Sequence, residues 1–325
     1  MPGIECEVEA PMNATQPTSS PLSEISVTAP LTQAIDRVKL VLFQPFDLGK
    51  WFIIGFCAWL AQLGEGGGGG NFNPGGGNHH GGNLNHEFEQ AKDFVMSNLY
   101  WIIPVAVGVV LLCVVLGLLF TWLNSRGKFM FLHCVALNKA EVAVPWTKFS
   151  RQANSLFWFR IVLGLIAMVI ILPLIAVGVV IGIATFARGD VRVAGVAGLA
   201  GVVLLFFAVA LVFFLIRKFT MDFVVPIMFV RGCTCREGWG ILRRLMSANV
   251  GNILLYLLFQ IVIAMVTGML VLAVMIVTCC CCCLLLLPYV STVILLPVFV
   301  FHRAYSAHYL AQFGRGFDVF VLPAA

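Results

Sequence analysis

The chain has 325 residues, of which 60% are apolar and only 11% charged, whereas soluble domains carry about 25% charged residues. That deficit excludes a soluble globule with a solvated face. The formal net charge of +5 is dispersed between apolar runs, which argues against a nucleic-acid surface and fits the loop charges of a membrane protein.

Residues 1–30 carry Glu5, Glu7, Glu9 and Glu24, no basic residue and no apolar run before Leu31. Rich in Pro, Ser and Thr, they read as a disordered cytoplasmic tail, with no secretory leader expected in them. From residue 31 the pattern becomes amphipathic: Leu31, Ala34, Ile35, Val38, Val41 and Leu42 share one helical face. A first apolar segment follows at about 48–64. It is short, and a run of this length can be re-entrant as well as spanning. Lys50 can snorkel to the interface.

Residues 64–85 hold two Gly-rich runs, expected to form a flexible outer loop. Further spans are predicted at about 99–123, 157–187, 193–216, 252–278 and 284–307. No charge lies between Arg160 and Arg188, between Arg192 and Arg217, or between Arg244 and Arg303. The first two gaps hold one helix each and the last holds two, with a turn near Cys279–Pro288. Two more amphipathic stretches precede spans: Trp146, Phe149, Ala153 and Leu156, then Trp239, Leu242, Leu245 and Met246. Helices of this kind lie in the membrane interface.

The expected fold is therefore all-α: a polytopic transmembrane bundle of six spans in three hairpins, each preceded by an interfacial amphipathic helix. Its domain is residues 31–316, with 317–325 as a C-terminal tail. Of the 20 Lys and Arg residues, all but Lys92, Arg188 and Arg192 fall on the side assigned to the cytoplasm, which places both termini inside. All seven Trp fall near a predicted boundary or in an interfacial helix.

Few residues suggest chemistry. Asp222, in KFTMDFVVPIM, falls at the inner edge of the fourth span if the helix continues there. Ionisable residues at such depth are costly and often functional, with Arg126, Arg217 or Arg303 as possible partners; a structural ion pair is the plainer reading. Asp47 sits at the interface in QPFDLGKW. The run Cys279–Cys283 lacks metal-ligand spacing and reads as an apolar turn. Cys233 and Cys235 supply only one C-x-C pair. His79, His80 and His86 lie in or just after the polar link, without suitably spaced acids. No cofactor and no metal site are expected. Gly178 with Gly182, and Gly198 and Gly201 with nearby alanines, have small-xxx-small spacing that lets helices approach closely. Pro104, Pro173, Pro288 and Pro297 fall within spans or at their ends.

The layout of QPFDLGKWF, DFVVPIM, GWGILRRL and LPVFVFHRAYSAHYLAQFG resembles the bacterial six-span domains fused to some glycerophosphodiester phosphodiesterases, and their stand-alone relatives. The likeness covers roughly residues 31–316. It implies a bacterial inner-membrane domain; no phosphodiesterase barrel accompanies it, so that activity does not carry over. The function expected is non-catalytic binding of membrane lipids, anionic ones included, or of a membrane protein partner or second copy. A small-solute or ion transporter, and a lipid-modifying enzyme, are the alternatives.

Overall fold

The computed structural model describes residues 25–64, 99–186, 193–277 and 288–321. The Gly-rich link, its histidines and the Cys279–Cys283 run lie outside them. Among the described residues the regular structure is entirely helical. The helices are α1 (Ala29–Leu42), α2 (Leu48–Gln62), α3 (Leu99–Leu137), α4 (Ala143–Lys148), α5 (Ser150–Phe186) and α6 (Val193–Phe219), then a π-helical turn (Thr220–Val224). They continue as α7 (Val225–Arg231), α8 (Cys235–Ala248), α9 (Val250–Val277), α10 (Pro288–Ile294) and α11 (Leu296–Ala311).

Among the described residues four helices are long and apolar enough to cross a bilayer: α3, α5, the continuous α6–π–α7 rod, and α9. The chain is thus a membrane protein built as a helical bundle. The most apolar stretches of the first three contain no residue buried by protein. Side chains such as Val110, Val169 and Leu204 are exposed. Continuous apolar surface of this extent is solvated by lipid, since water would drive it into contact.

The long helices outrun the membrane. At 1.5 Å per residue, the 39 residues of α3 extend about 58 Å, against a hydrocarbon core of about 30 Å. The predicted span 99–123 is only its first part. Past Asn124, α3 continues because residues 129–136 are buried against other helices. The protein core lies at this C-terminal end of α3, called the inner end below. It is built from Ile54 and Cys57 of α2, Met130 and Leu132 of α3, Phe223 in the π turn, Ile227 and Met228 of α7, Tyr256 of α9, and Tyr305 and Tyr309 of α11.

Helix α2 belongs to this inner layer. Asp47 caps its start, Oδ1 accepting from Gly49 N at 2.8 Å. It runs antiparallel to the inner half of α3: Lys50 Nζ donates to Asn138 Oδ1 at 2.7 Å. At the other end Asn124 Nδ2 donates to Ala61 O at 2.7 Å and Leu63 O at 2.9 Å. Gly127 makes the approach possible, since a Cβ there would lie 2.5 Å from Ala61 N and 2.6 Å from the Leu60 carbonyl carbon. With 15 residues, α2 is about 22 Å long. The last apolar segment is broken between Ile294 and Leu296 into α10 and α11, with Pro297 in the first turn of α11.

The amphipathic stretches take different forms. The first is α1, packed on α11. The third is α8, which buries Cys235, Gly238 and Leu242 and begins with Thr234 N donating to Glu237 Oε2 at 2.8 Å. The second is no separate interfacial helix: it divides into the six-residue α4 and the first turns of α5, which runs on into the lipid-facing span.

The packed unit exceeds residues 31–316 at both ends. Ser26 N donates to Gln312 Oε1, and Gln312 Nε2 to Ser26 O, both at 2.8 Å. Val319 is fully buried, and the Phe320 ring lies between His308, stacked at 4.0 Å, and the Arg37 guanidinium at 4.9 Å.

Candidate functional site

The helix bearing Asp222 does continue, but as a π turn. Within it Val225 N–H bonds back five residues to Thr220 O. In that pattern the Met221 carbonyl would next need an N–H from residue 226, which is Pro226 and has none. Arg303 of α11 supplies the missing donor, its NH1 donating to Met221 O at 2.6 Å. The sequence TMDFVVP thus creates both the wide turn and the carbonyl that draws a buried arginine to it.

Asp222 itself closes a ring of polar side chains between α6 and α9. Lys218 Nζ lies 2.9 Å from Asp222 Oδ2, and the Tyr256 hydroxyl donates to the same oxygen at 2.9 Å. Gln260 Nε2 donates to that hydroxyl at 2.8 Å, and Lys218 Nζ reaches Gln260 Oε1 at 3.5 Å. Tyr256 is fully buried. A carboxylate held by an ammonium and a phenol is well satisfied, and the ring ties the two helices together.

Of the three arginines considered as partners for Asp222, Arg303 lines the same cleft as the carboxylate but bonds the Met221 carbonyl instead. Arg126 lies over the Trp122 and Trp146 rings at 4.5 and 4.8 Å and donates to Trp146 O at 3.2 Å. Arg217 lines a separate crevice. Lys218 carried a sequence signal, being one helical turn before Asp222; Tyr256 and Gln260, on another helix, carried none.

Two concave features flank this region. A cleft of about 310 Å³ lies between α2, α3, the π turn and α11, with Gln62, Lys128, Asp222, His302, Arg303 and Ser306 as polar lining and Phe131 and Phe299 among its apolar walls. Arg303 Nε and NH2 are buried with no hydrogen-bond partner. Lys128 Nζ lies 2.6 Å from Met221 Sδ. A second, larger crevice of about 480 Å³ lies between α3, α5 and α6. Leu118, Leu163, Met168 and Phe213 are among its apolar walls, and it also holds Arg160, Arg217, Thr121 and Thr220. Arg160 NH1 donates to Asn124 Oδ1 there, level with the inner limit of the lipid-facing belt.

The small residues behave unequally. A Cβ on Gly178 would meet Val202 at 3.2 Å and one on Gly198 would meet Ile181 at 3.7 Å, whereas Gly182 and Gly201 have nothing within 4 Å. The tightest approach of this hairpin among the described residues is at Gly195, where a Cβ would lie 2.5 Å from Thr185 Oγ1. Cys233 and Cys235 are both buried. Burial, with Cys233 adding to it, pushes the Cys235 thiol up to about 12. Among the described residues no three His, Cys, Asp or Glu side chains come together.

No curated protein and no solved structure matches the chain. One family model matches residues 25–284, which span the π turn, the Asp222 ring and the arginines of the lipid-facing crevice. By that match the chain belongs to the Family of unknown function, DUF7544.

Proposed function

We propose that the protein is a non-catalytic inner-membrane domain that binds anionic phospholipid. The observation that carries this reading is the crevice between α3, α5 and α6. Its walls suit an acyl chain, and Arg160 and Arg217 stand where a headgroup phosphate would lie. Basic pockets between membrane helices at the cytoplasmic level are the usual form of such sites. The test is native mass spectrometry of protein purified in a mild neutral detergent. Wild type is expected to retain phosphatidylglycerol or cardiolipin, and the Arg160→Gln/Arg217→Gln variant to lose it. Equal retention by both, or none by wild type, refutes the proposal.

The same reading has six crossings with both termini in the cytoplasm. Two observations support it. Helices α1 and α11 pack on each other, joined at Ser26 and Gln312, as an even number of passes between them would require. The retention of most Lys and Arg on one side agrees. The likeness in layout to the membrane domains of glycerophosphodiester phosphodiesterases belongs to this proposal too, and supplies its bacterial setting. A reporter fused at Gly76 is expected to be active only outside the cytoplasm.

A further inference from the structure

The inner cleft holds a feature that the lipid-facing crevice does not explain. Three cations, Lys128, Lys218 and Arg303, gather around one acid, Asp222. Asp222 is engaged by Lys218 and Tyr256. Arg303 is anchored by one nitrogen to the Met221 carbonyl, while its Nε and NH2 are buried with no partner. Leaving charged donors unsatisfied in a buried place costs more than a neutral orphan does. Native proteins tolerate such groups chiefly where something else completes them.

We propose that the cleft is a second site, one that takes a phosphate-bearing anion between Arg303 and Lys128. The edge of a guanidinium formed by Nε and one terminal nitrogen is the fork that matches two oxygens of a phosphate. Lys128, across the cleft on α3, supplies a point charge to a third oxygen. Because NH1 is committed to Met221 O, the fork is held in one orientation before the anion arrives, which lowers the cost of binding. The volume, about 310 Å³, is at the small end of ligand pockets and fits a phosphate group with a short polar substituent. The chemistry is shared by a free phosphate compound and a phospholipid headgroup. The site stands on residues of α3 and α11, apart from Arg160 and Arg217.

The experiment is a thermal-unfolding titration of the full chain in neutral detergent. The probes are inorganic phosphate against chloride at equal ionic strength, and short-chain phosphatidylglycerol against short-chain phosphatidylcholine. Wild type is expected to gain thermal stability with phosphate or with phosphatidylglycerol. A response to phosphate alone assigns a soluble ligand, and one to phosphatidylglycerol alone assigns a headgroup. Lys128→Gln is expected to raise the half-saturating concentration about tenfold or more, the measure of one lost charge-assisted hydrogen bond. Arg303→Lys, which keeps the charge but loses the fork, is expected to do the same. If Arg303→Lys does not fold, Lys128→Gln alone decides. The Arg160→Gln/Arg217→Gln variant is expected to keep the phosphate response, which separates this site from the crevice. A wild-type response no larger than that to chloride or phosphatidylcholine overturns the proposal, as does an undiminished response in Lys128→Gln.

Discussion

Replacing Gly127 by Ala is the sharpest test of the inner layer. The new methyl group would sit 2.5 Å from Ala61 N and 2.6 Å from the Leu60 carbonyl carbon, both backbone atoms of α2. Bringing Ala61 N to an ordinary contact of 3.4 Å means moving α2 off α3 by about 0.9 Å, because no side-chain rotation can relieve a clash with main chain. Over-packing of this kind costs about 1–3 kcal/mol. The displacement also stretches the Asn124 bonds to Ala61 O and Leu63 O, each worth about 1 kcal/mol. Against this, Ala in place of Gly inside a helix gains up to about 1 kcal/mol. The expected net loss is about 2–4 kcal/mol. The control is Gly117→Ala, on the same helix with nothing within 4 Å of its new Cβ, which should be neutral or slightly stabilising. The assay is the unfolding midpoint of both variants in mixed micelles of mild detergent and SDS. Equal midpoints for the two substitutions would refute the close α2–α3 packing.

Other expectations follow from the polar groups. Tyr256→Phe removes the phenol that donates to Asp222 and accepts from Gln260, and should destabilise by about 1.5–3 kcal/mol. Asp222→Asn should do likewise, and the double variant should lose less than the two single losses combined, because both break one ring; strict additivity in the same unfolding assay would deny the coupling. At the C-terminal end, burial, and then the charge of Arg37, push His308 down to about 4, against an opposing pull from Asp318. A folded-state value below the ordinary 6.5 means that the neutral ring is the stabilising form. Its contribution is therefore complete above pH 6.5 and is lost as the pH falls toward 4. The unfolding midpoint should drop across that window in wild type and drop less in His308→Asn; parallel profiles would exclude His308 as the cause.

What the sequence made legible was governed by local rules. Twenty-residue apolar gaps between charges locate α3, α5, α6 and α9, because lipid demands that length wherever the helix lies. The faces of α1 and α8 follow from a 3.6-residue repeat. Asp222 stood out through its rarity, and the helix continuing past it is what a stretch free of Gly and Pro from residue 202 up to Pro226 permits. The widening of that helix was less visible, since a π turn depends on which carbonyl finds a partner, and the partner of Met221 lies 82 residues away on α11. The lengths of α2 and of the broken α10–α11 pair were hidden for a related reason. An apolar run of 15 residues reads alike whether its neighbours are lipid or the inner half of α3. Gly127 escaped notice because it is a lone glycine beside Arg126 and Lys128, outside any small-xxx-small pair. What marks it is the helix opposite, and only the fold supplies that.

The joining of Ser26 to Gln312 spans 286 positions of chain. During synthesis α1 emerges long before α11, the helix that covers its apolar face. Until then Ala34, Val41 and Leu42, which are fully buried in the finished protein, lack that partner. Contacts so distant in sequence close late. A ribosome that stops early would therefore release a chain whose spans are inserted but whose first helix still shows a greasy stripe. Chaperones and proteases recognise such surface, so this last closure offers the cell a way to tell a complete copy from a truncated one.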